Sequence, residues 1–118
     1  MTKILVVDDD PAILEVIQLI LEDNNYDVET ARSGRIFDDL KRMPDLILLD
    51  ILLSGEDGRE IVKRLRRNDK TKKVPIVMIS AHPSAGDTFH KIGANGFVSK
   101  PFDIDDLLNT VKDNLVTN

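Results

Sequence analysis

Cysteine is absent from this 118-residue chain, which excludes disulfides, thiolate metal sites and thiol chemistry. Histidine is almost absent: His82 and His90 are the only two, too few for a histidine-rich metal centre. No apolar run is long enough for a signal peptide or a membrane span. The opening "MTKILVVDDD" carries four apolar residues before three aspartates. The expectation is a cytoplasmic protein. There is no GxxxxGK[ST] loop and no GxGxxG after the first apolar run, so a nucleotide is not the obvious ligand. Repeats, low-complexity segments and linkers are also missing. An excess of positive charge is lacking too. The net charge of −5 argues against general nucleic-acid binding. Residues 59–73, "REIVKRLRRNDKTKK", nevertheless hold eight basic and two acidic side chains, a local +6 that leaves −11 for the remainder. This run reads as the solvated face of one helix and its exit loop, with an anionic partner surface as the lesser alternative.

What is present fits one globular domain over residues 1–118. Hydrophobic content is 42% and charged content 31%, and a chain of this length buries a proper core without staples. Ile4 to Val7 reads as a first strand. Asp10-Pro11 reads as an N-cap followed by proline at the first helical position, with Ile13, Ile17, Ile20 and Leu21 at helical spacing behind it. "YDVETA" is a half-covered second strand. Ser33-Gly34 opens a second helix with Ile36, Phe37 and Leu40 on one side, and Pro44 ends it. "DLILLD" is the third strand. Ile61, Val62 and Leu65 mark a third helix after Gly58, and "VPIVMIS" is the fourth strand. Residues 83–93 predict a fourth helix weakened by Pro83 and Gly86. "GFVS" is the fifth strand. Ile104, Leu107, Leu108, Val111 and Leu115 form the apolar stripe of a last helix capped by Asp103.

Strict alternation of strand and helix implies an α/β fold with a parallel sheet covered on both faces. The continuous apolar runs of strands one, three and four agree, because such strands are buried on both sides. In such sheets the ligand crevice lies beyond the carboxyl ends of the strands. Those ends carry Asp8-Asp9, then Asp50, then Ser80-Ala81, then Ser99-Lys100-Pro101. Each residue alone has a dull explanation as a turn or cap, and for Asp10 the cap suffices. Together they converge on one edge. Clustered carboxylates repel one another, one lysine cannot neutralise them, and a hard cation such as Mg²⁺ can. Asp8 or Asp9, Asp50 and a backbone carbonyl of the following loop supply oxygens, while Lys100 and Ser80 suit phosphate oxygens. Asp50, on the central strand, is the best candidate for a carboxylate that itself accepts a phosphoryl group.

These blocks, "ILVVDDDP", "LILLDILLSGEDG", "VPIVMISA" and "GANGFVSKPF", resemble in content and spacing the receiver (CheY-like) domain of two-component response regulators. The resemblance covers the whole chain. It implies a single-domain (βα)5 flavodoxin-like doubly wound sheet with strand order 2-1-3-4-5. It implies that Asp50 takes a phosphoryl group from a phosphohistidine of a sensor histidine kinase or phosphotransfer protein. It implies Mg²⁺ held by Asp8, Asp9, Asp50 and the backbone carbonyl of Leu52, with Asp9 the more direct of the acid pair. Lys100 would bond the phosphoryl group, Lys100-Pro101 would be cis, and Ser80 and Phe97 would be the switch pair. Phosphorylation would then alter the surface of residues 83–93, strand five and the last helix, as a shift between two packings. The implied partners are the kinase, met by the exposed side of helix one and the loop after strand five, and a downstream protein or an output domain of a longer regulator. A homodimer through the switching face is a further expectation, with no nucleic acid or membrane contacted directly. Such a domain is not a turnover enzyme, although it assists its own phosphorylation and dephosphorylation.

Three residues depart from the family pattern. Ser54 stands where a proline is usual in the loop after the acceptor, which removes a fixed φ and predicts a more mobile loop. Phe97 replaces the commoner tyrosine and has no hydroxyl to donate. Leu52 offers no polar group to orient an attacking water, which predicts slow self-dephosphorylation. Repulsion among the carboxylates predicts that Mg²⁺ stabilises the protein and that Asp9→Asn stabilises it without metal. Two other readings compete: a pseudo-receiver that is never phosphorylated, and a haloacid-dehalogenase-like phosphatase. The second needs an aspartate where Leu52 stands.

Overall fold

The computed structural model describes residues 1–82 and 84–115. One sheet contains five parallel strands, β1 (Lys3–Val7), β2 (Asp27–Ala31), β3 (Leu46–Asp50), β4 (Ile76–Ser80) and β5 (Gly96–Ser99), in the order β2-β1-β3-β4-β5. The helices are α1 (Pro11–Asp23), α2 (Gly58–Arg67), α3 (Ala85–Thr88) and α4 (Ile104–Leu115). Successive strand residues point to opposite faces, and two cores follow from that alternation. Ile4, Val6, Leu46, Leu48, Val77 and Ile79 pack with Leu14, Ile17 and Leu21 of α1 and Leu107 and Val111 of α4. Leu5, Val7, Ile47, Leu49 and Met78 pack with Ile61, Val62 and Leu65 of α2. The strand order and the parallel sheet are those expected from the sequence.

The caps explain where the helices begin. The Asp10 side chain accepts from Ala12 N–H at 2.9 Å, and Asp57 accepts from Arg59 N–H at 2.9 Å. Asp103 likewise accepts from Asp105 N–H at 2.9 Å ahead of α4. Gly58 opens α2 against the backbone of the third strand. A Cβ there would run into the Asp50 carbonyl oxygen and lie 2.9 Å from Ile51 Cα, so no larger residue fits.

The second helix departs from expectation. Between β2 and β3 there is only a 3₁₀ segment, Gly34–Asp38. The Gly34 N–H donates to Glu56 Oε1 at 2.8 Å, which ties the segment's start to the loop before α2. Isoleucine, phenylalanine and two aspartates are also indifferent helix formers. Ile36, Phe37 and Leu40 still reach the core, so the apolar pattern was read correctly and its geometry was not. The fourth helix is as weak as expected. It is one α-helical turn, α3, followed by a 3₁₀ segment, Phe89–Ile92, that ends at Gly93 with φ +103°. Pro83, to which part of that weakness was assigned, lies outside the described residues.

Arg66, in the basic run, is no solvated residue. Its guanidinium donates to the carbonyl oxygens of Gly93 (2.8 Å) and Val74 (2.7 Å) and to Asn95 Oδ1 (2.7 Å). It thereby fastens the end of α2 to the segment that leads into β5.

Candidate functional site

Register assembles the site. Val7 pairs with Leu49, Asp50 with Ile79, and Ser80 with Ser99. The residues at or just past these pairs are Asp8, Asp50, Ser80 and Lys100. All four therefore emerge at one edge of the sheet, on the strands either side of the point where the strand order reverses. Asp8, Asp50 and Ser80 are buried, and Asp9 and Lys100 are partly covered.

Lys100 Nζ lies 2.9 Å from Asp8 Oδ2 and 3.4 Å from Asp50 Oδ2. One ammonium is thus shared by two buried carboxylates, and Asp8 holds the shorter contact. Asp8 Oδ1 also accepts from Asp10 N–H at 2.9 Å. Asp50 is the less satisfied member. Its pKa is raised to about 6, first by burial and then by the charge of Asp8, against the opposing pull of Lys100 and the Leu52 N–H. Burial alone would lower the Lys100 pKa, but its hydrogen bond to Asp8 and the charges of Asp50 and Asp8 carry it upward.

Asp9 differs. Ser54 donates to Asp9 Oδ2 twice, from its N–H at 3.0 Å and from its hydroxyl at 2.6 Å. These bonds, the hydroxyl one foremost, hold the Asp9 carboxyl below its ordinary range. The repulsion expected among the acids is therefore not evenly spread. The raised pKa is that of Asp50, so a neutral substitution is expected to relieve more repulsion there than at Asp9. The restraint lost with proline at position 54 is replaced by hydrogen bonds that a proline could not make.

One carboxylate oxygen from each of Asp8, Asp9 and Asp50 lies within 4.8 Å of the others. Three hard anionic oxygens, with a raised acid among them, fit a hard divalent cation and offer nothing to a soft one. Beside them opens a cavity of about 370 Å³ lined by Asp50, Leu52, Ser80, Ala81, His82 and Lys100. The Leu52 side chain is 63% exposed at this opening. The Ser80 hydroxyl oxygen accepts from His82 N–H at 2.9 Å. Phe97 lies apart from the acids, its ring stacked on Phe89 with centroids 6.0 Å apart. Lys100-Pro101 is cis. Ser54, Arg32 and His82 were not singled out as site residues from the sequence. The hydroxyl at position 54, in a loop bound for the acid pair, was the only available hint.

Among the described residues no helix is long and apolar enough to cross a membrane. A second surface feature adjoins the site. Ile13, Val16, Leu19 and Ile20 of α1 face Pro101, Phe102 and Ile104 across an apolar groove of about 740 Å³, with Lys100 at its edge.

A family model described as the response regulator receiver domain matches residues 4–112. The chain is 37% identical over 116 residues to the DNA-binding dual master transcriptional regulator RpaA of Synechocystis, covering 95% of this chain and 48% of that protein. It is 39% identical over 119 residues to the response regulator ArlR of Staphylococcus saprophyticus, covering 95% of this chain and 51% of that protein. The chain thus spans about half the length of these curated relatives. Among solved structures, a putative response regulator from Chloroflexus aurantiacus superposes with a TM-score of 0.89 at 36% identity, covering 97% of both chains. The chemotaxis response regulator CheY4 of Vibrio cholerae does so with a TM-score of 0.86 at 33% identity, covering 96% of this chain and 98% of that one.

Proposed function

Because the chain belongs to the response regulator receiver domain family, we propose that it accepts a phosphoryl group on Asp50 from a phosphohistidine of a sensor kinase or phosphotransfer protein. It is a signalling module rather than a turnover enzyme. One observation carries the reading: a buried carboxylate faces an open cavity whose other polar walls are Ser80, His82 and Lys100.

With a pKa of about 6, Asp50 is mostly ionised at neutral pH and is competent as a nucleophile. A carboxylate oxygen of Asp50 attacks phosphorus. The P–N bond breaks, and its electron pair stays with the departing imidazole. Asp8, Asp9, Asp50 and the Leu52 backbone carbonyl would hold Mg²⁺, whose charge, when bound, offsets that of the phosphoryl oxygens. Lys100 turns from Asp8 and Asp50 to an oxygen of the phosphoryl group, which as a whole carries about −2 charge. Ser80, whose oxygen accepts from the His82 N–H here, moves inward and donates its hydroxyl proton to another phosphoryl oxygen. Phe97, whose ring already lies beside Gly86 of α3 and stacks on Phe89, turns inward to fill the space left beside β4. The α3–β5–α4 face then presents a different surface to an output domain, a downstream protein or a second copy. The short helical turns of α3 suit such a change, because they have little internal stability of their own.

The apolar groove supports a helical phosphodonor as the partner. Val16, Leu19 and Ile104 are 47%, 62% and 54% exposed, a contiguous patch beside Lys100. A helix seated there brings its histidine to the cavity mouth. Leu19→Glu is expected to slow transfer from a phosphohistidine protein about tenfold or more, while labelling by a small acyl phosphate is unchanged. Equal slowing of both reactions would remove the groove from the docking surface.

The direct test is incubation with an acyl phosphate and Mg²⁺, read by intact mass. The expected adduct is about 80 Da on Asp50. No adduct, or one on another residue, overturns the reading and leaves a non-phosphorylated interaction module. In the same experiment the adduct should decay over minutes or longer after the donor is removed, because Leu52 orients no water. Decay within seconds would show that another group does so.

A further inference from the structure

Ser54 joins two stretches that lie 45 residues apart, the end of β1 and the loop after β3. These stretches bear Asp9 and Asp50, two of the three members of the acidic cluster. Both Ser54 donors meet the same oxygen, Asp9 Oδ2, and the hydroxyl contact of 2.6 Å has the length of a charge-assisted bond. From the other side Arg32 Nη2 reaches the Asp9 carbonyl oxygen at 3.3 Å. The backbone and one carboxylate oxygen of Asp9 are thus both fixed. A carboxylate is planar, so anchoring Oδ2 also restricts where Oδ1 can lie. Left to itself, a partly covered aspartate beside two other carboxylates would turn toward solvent, away from their charge.

We propose that Ser54 is a positioning residue for the divalent cation, presenting the Asp9 carboxylate already oriented toward Asp8 and Asp50. This rests on the reading of the acidic cluster as a cation site and adds to it a residue that never touches the ion. Hydrogen bonds to metal-ligating carboxylates orient them and raise affinity, and their loss commonly weakens binding 10- to 100-fold. The clasp also binds the loop of Leu52 to β1, so the segment with the proposed carbonyl ligand is held in place by the same two bonds. The opposite effect has its own signature. Donors that satisfy Oδ2 would compete with a cation if they held Asp9 away from it. The two cases differ in sign.

Titration calorimetry with Mg²⁺ on the wild-type protein and on Ser54→Ala, Ser54→Thr and Ser54→Pro separates them. Ser54→Ala is expected to bind Mg²⁺ about tenfold more weakly. Ser54→Thr, which keeps both donors, should bind within about twofold of wild type, and Ser54→Pro, which loses both, should be weaker than Ser54→Ala. Thermal unfolding without Mg²⁺ checks that each variant is folded, and rescue by threonine distinguishes positioning from collapse of the loop. Wild-type-like or tighter binding by Ser54→Ala overturns this inference alone. Absence of binding to the wild-type protein overturns the cation site as well.

Discussion

Asp50→Asn is expected to stabilise the metal-free protein at pH 7 by about 2 kcal/mol, raising its melting temperature by roughly 8 °C, while ending phosphorylation. Asp50 has its pKa raised to about 6, above the ordinary 3.8, chiefly by burial. The folded protein therefore holds this proton more tightly than the unfolded chain does. Its contribution to stability is fully present below about pH 3.8 and is lost as pH rises through about 6. At pH 7 the ionised group costs up to about 3 kcal/mol relative to a neutral isostere, with the 3.4 Å contact to Lys100 already counted in that balance, and solvent screening at the open cavity brings the expected gain to about 2 kcal/mol. Asp9 and Asp57, whose carboxyls are held low, act in the opposite direction and cost stability as the medium becomes more acid. As far as these groups decide it, metal-free wild-type protein should be most stable near pH 4, and Asp50→Asn should lose the decline between about pH 4 and pH 6. Calorimetric melting across that range with a chelator present measures this. Equal melting temperatures of the two proteins at pH 7 would mean that Asp50 is not strained. Added Mg²⁺ should narrow the difference by stabilising the wild type.

Lys100→Met should do the reverse and more strongly. The ammonium is the cation shared by Asp8 and Asp50, whose side chains are 1% and 8% exposed. Removing it leaves two buried like charges facing each other, a change expected to cost about 3 kcal/mol at pH 7. The penalty should shrink at pH 5, where Asp50 takes up a proton, and it should be smaller in an Asp50→Asn background. Such non-additivity is the signature of direct contact. Labelling by acyl phosphate should also slow about a hundredfold, because a donor aimed at the phosphoryl oxygens is gone. A stable Lys100→Met protein with unaltered labelling would place the lysine outside the chemistry.

The sheet was legible because its strands are unmixed. Ile4 to Val7 and Leu46 to Leu49 are short apolar runs buried on both faces, and their first polar successors mark the crevice. Asp10 and Asp103 were legible as caps because capping is local chemistry, read from adjacent residues. Local pattern failed where a distant residue decides. The segment after Ser33 is 3₁₀ partly because Glu56 takes the Gly34 N–H, and nothing in residues 33–40 announces that. Arg66 belongs to a basic run that reads as solvated. Its guanidinium is nonetheless spent on carbonyls brought near by α2 and the turn at Gly93, which alone accommodates the left-handed backbone there. Repulsion among the acids was read from their convergence, with Asp9 as the residue to neutralise, whereas the raised pKa falls on Asp50 and the lowered one on Asp9. Repulsion can be inferred from proximity, whereas its distribution depends on who donates to whom, and Ser54 donates to Asp9.

Gly58 donates its N–H to the Ile51 carbonyl at 2.6 Å, and residues 52–57 make a small hairpin between those two points. Within it, Leu53 is buried in the core, Ser54 bonds Asp9 and Glu56 takes the Gly34 N–H, so the excursion is stitched to the body at several points. Leu52, by contrast, is largely exposed. A substitution there is expected to retune tempo while the architecture is left alone, which gives a lineage a loop codon through which to adjust its response without rebuilding the scaffold.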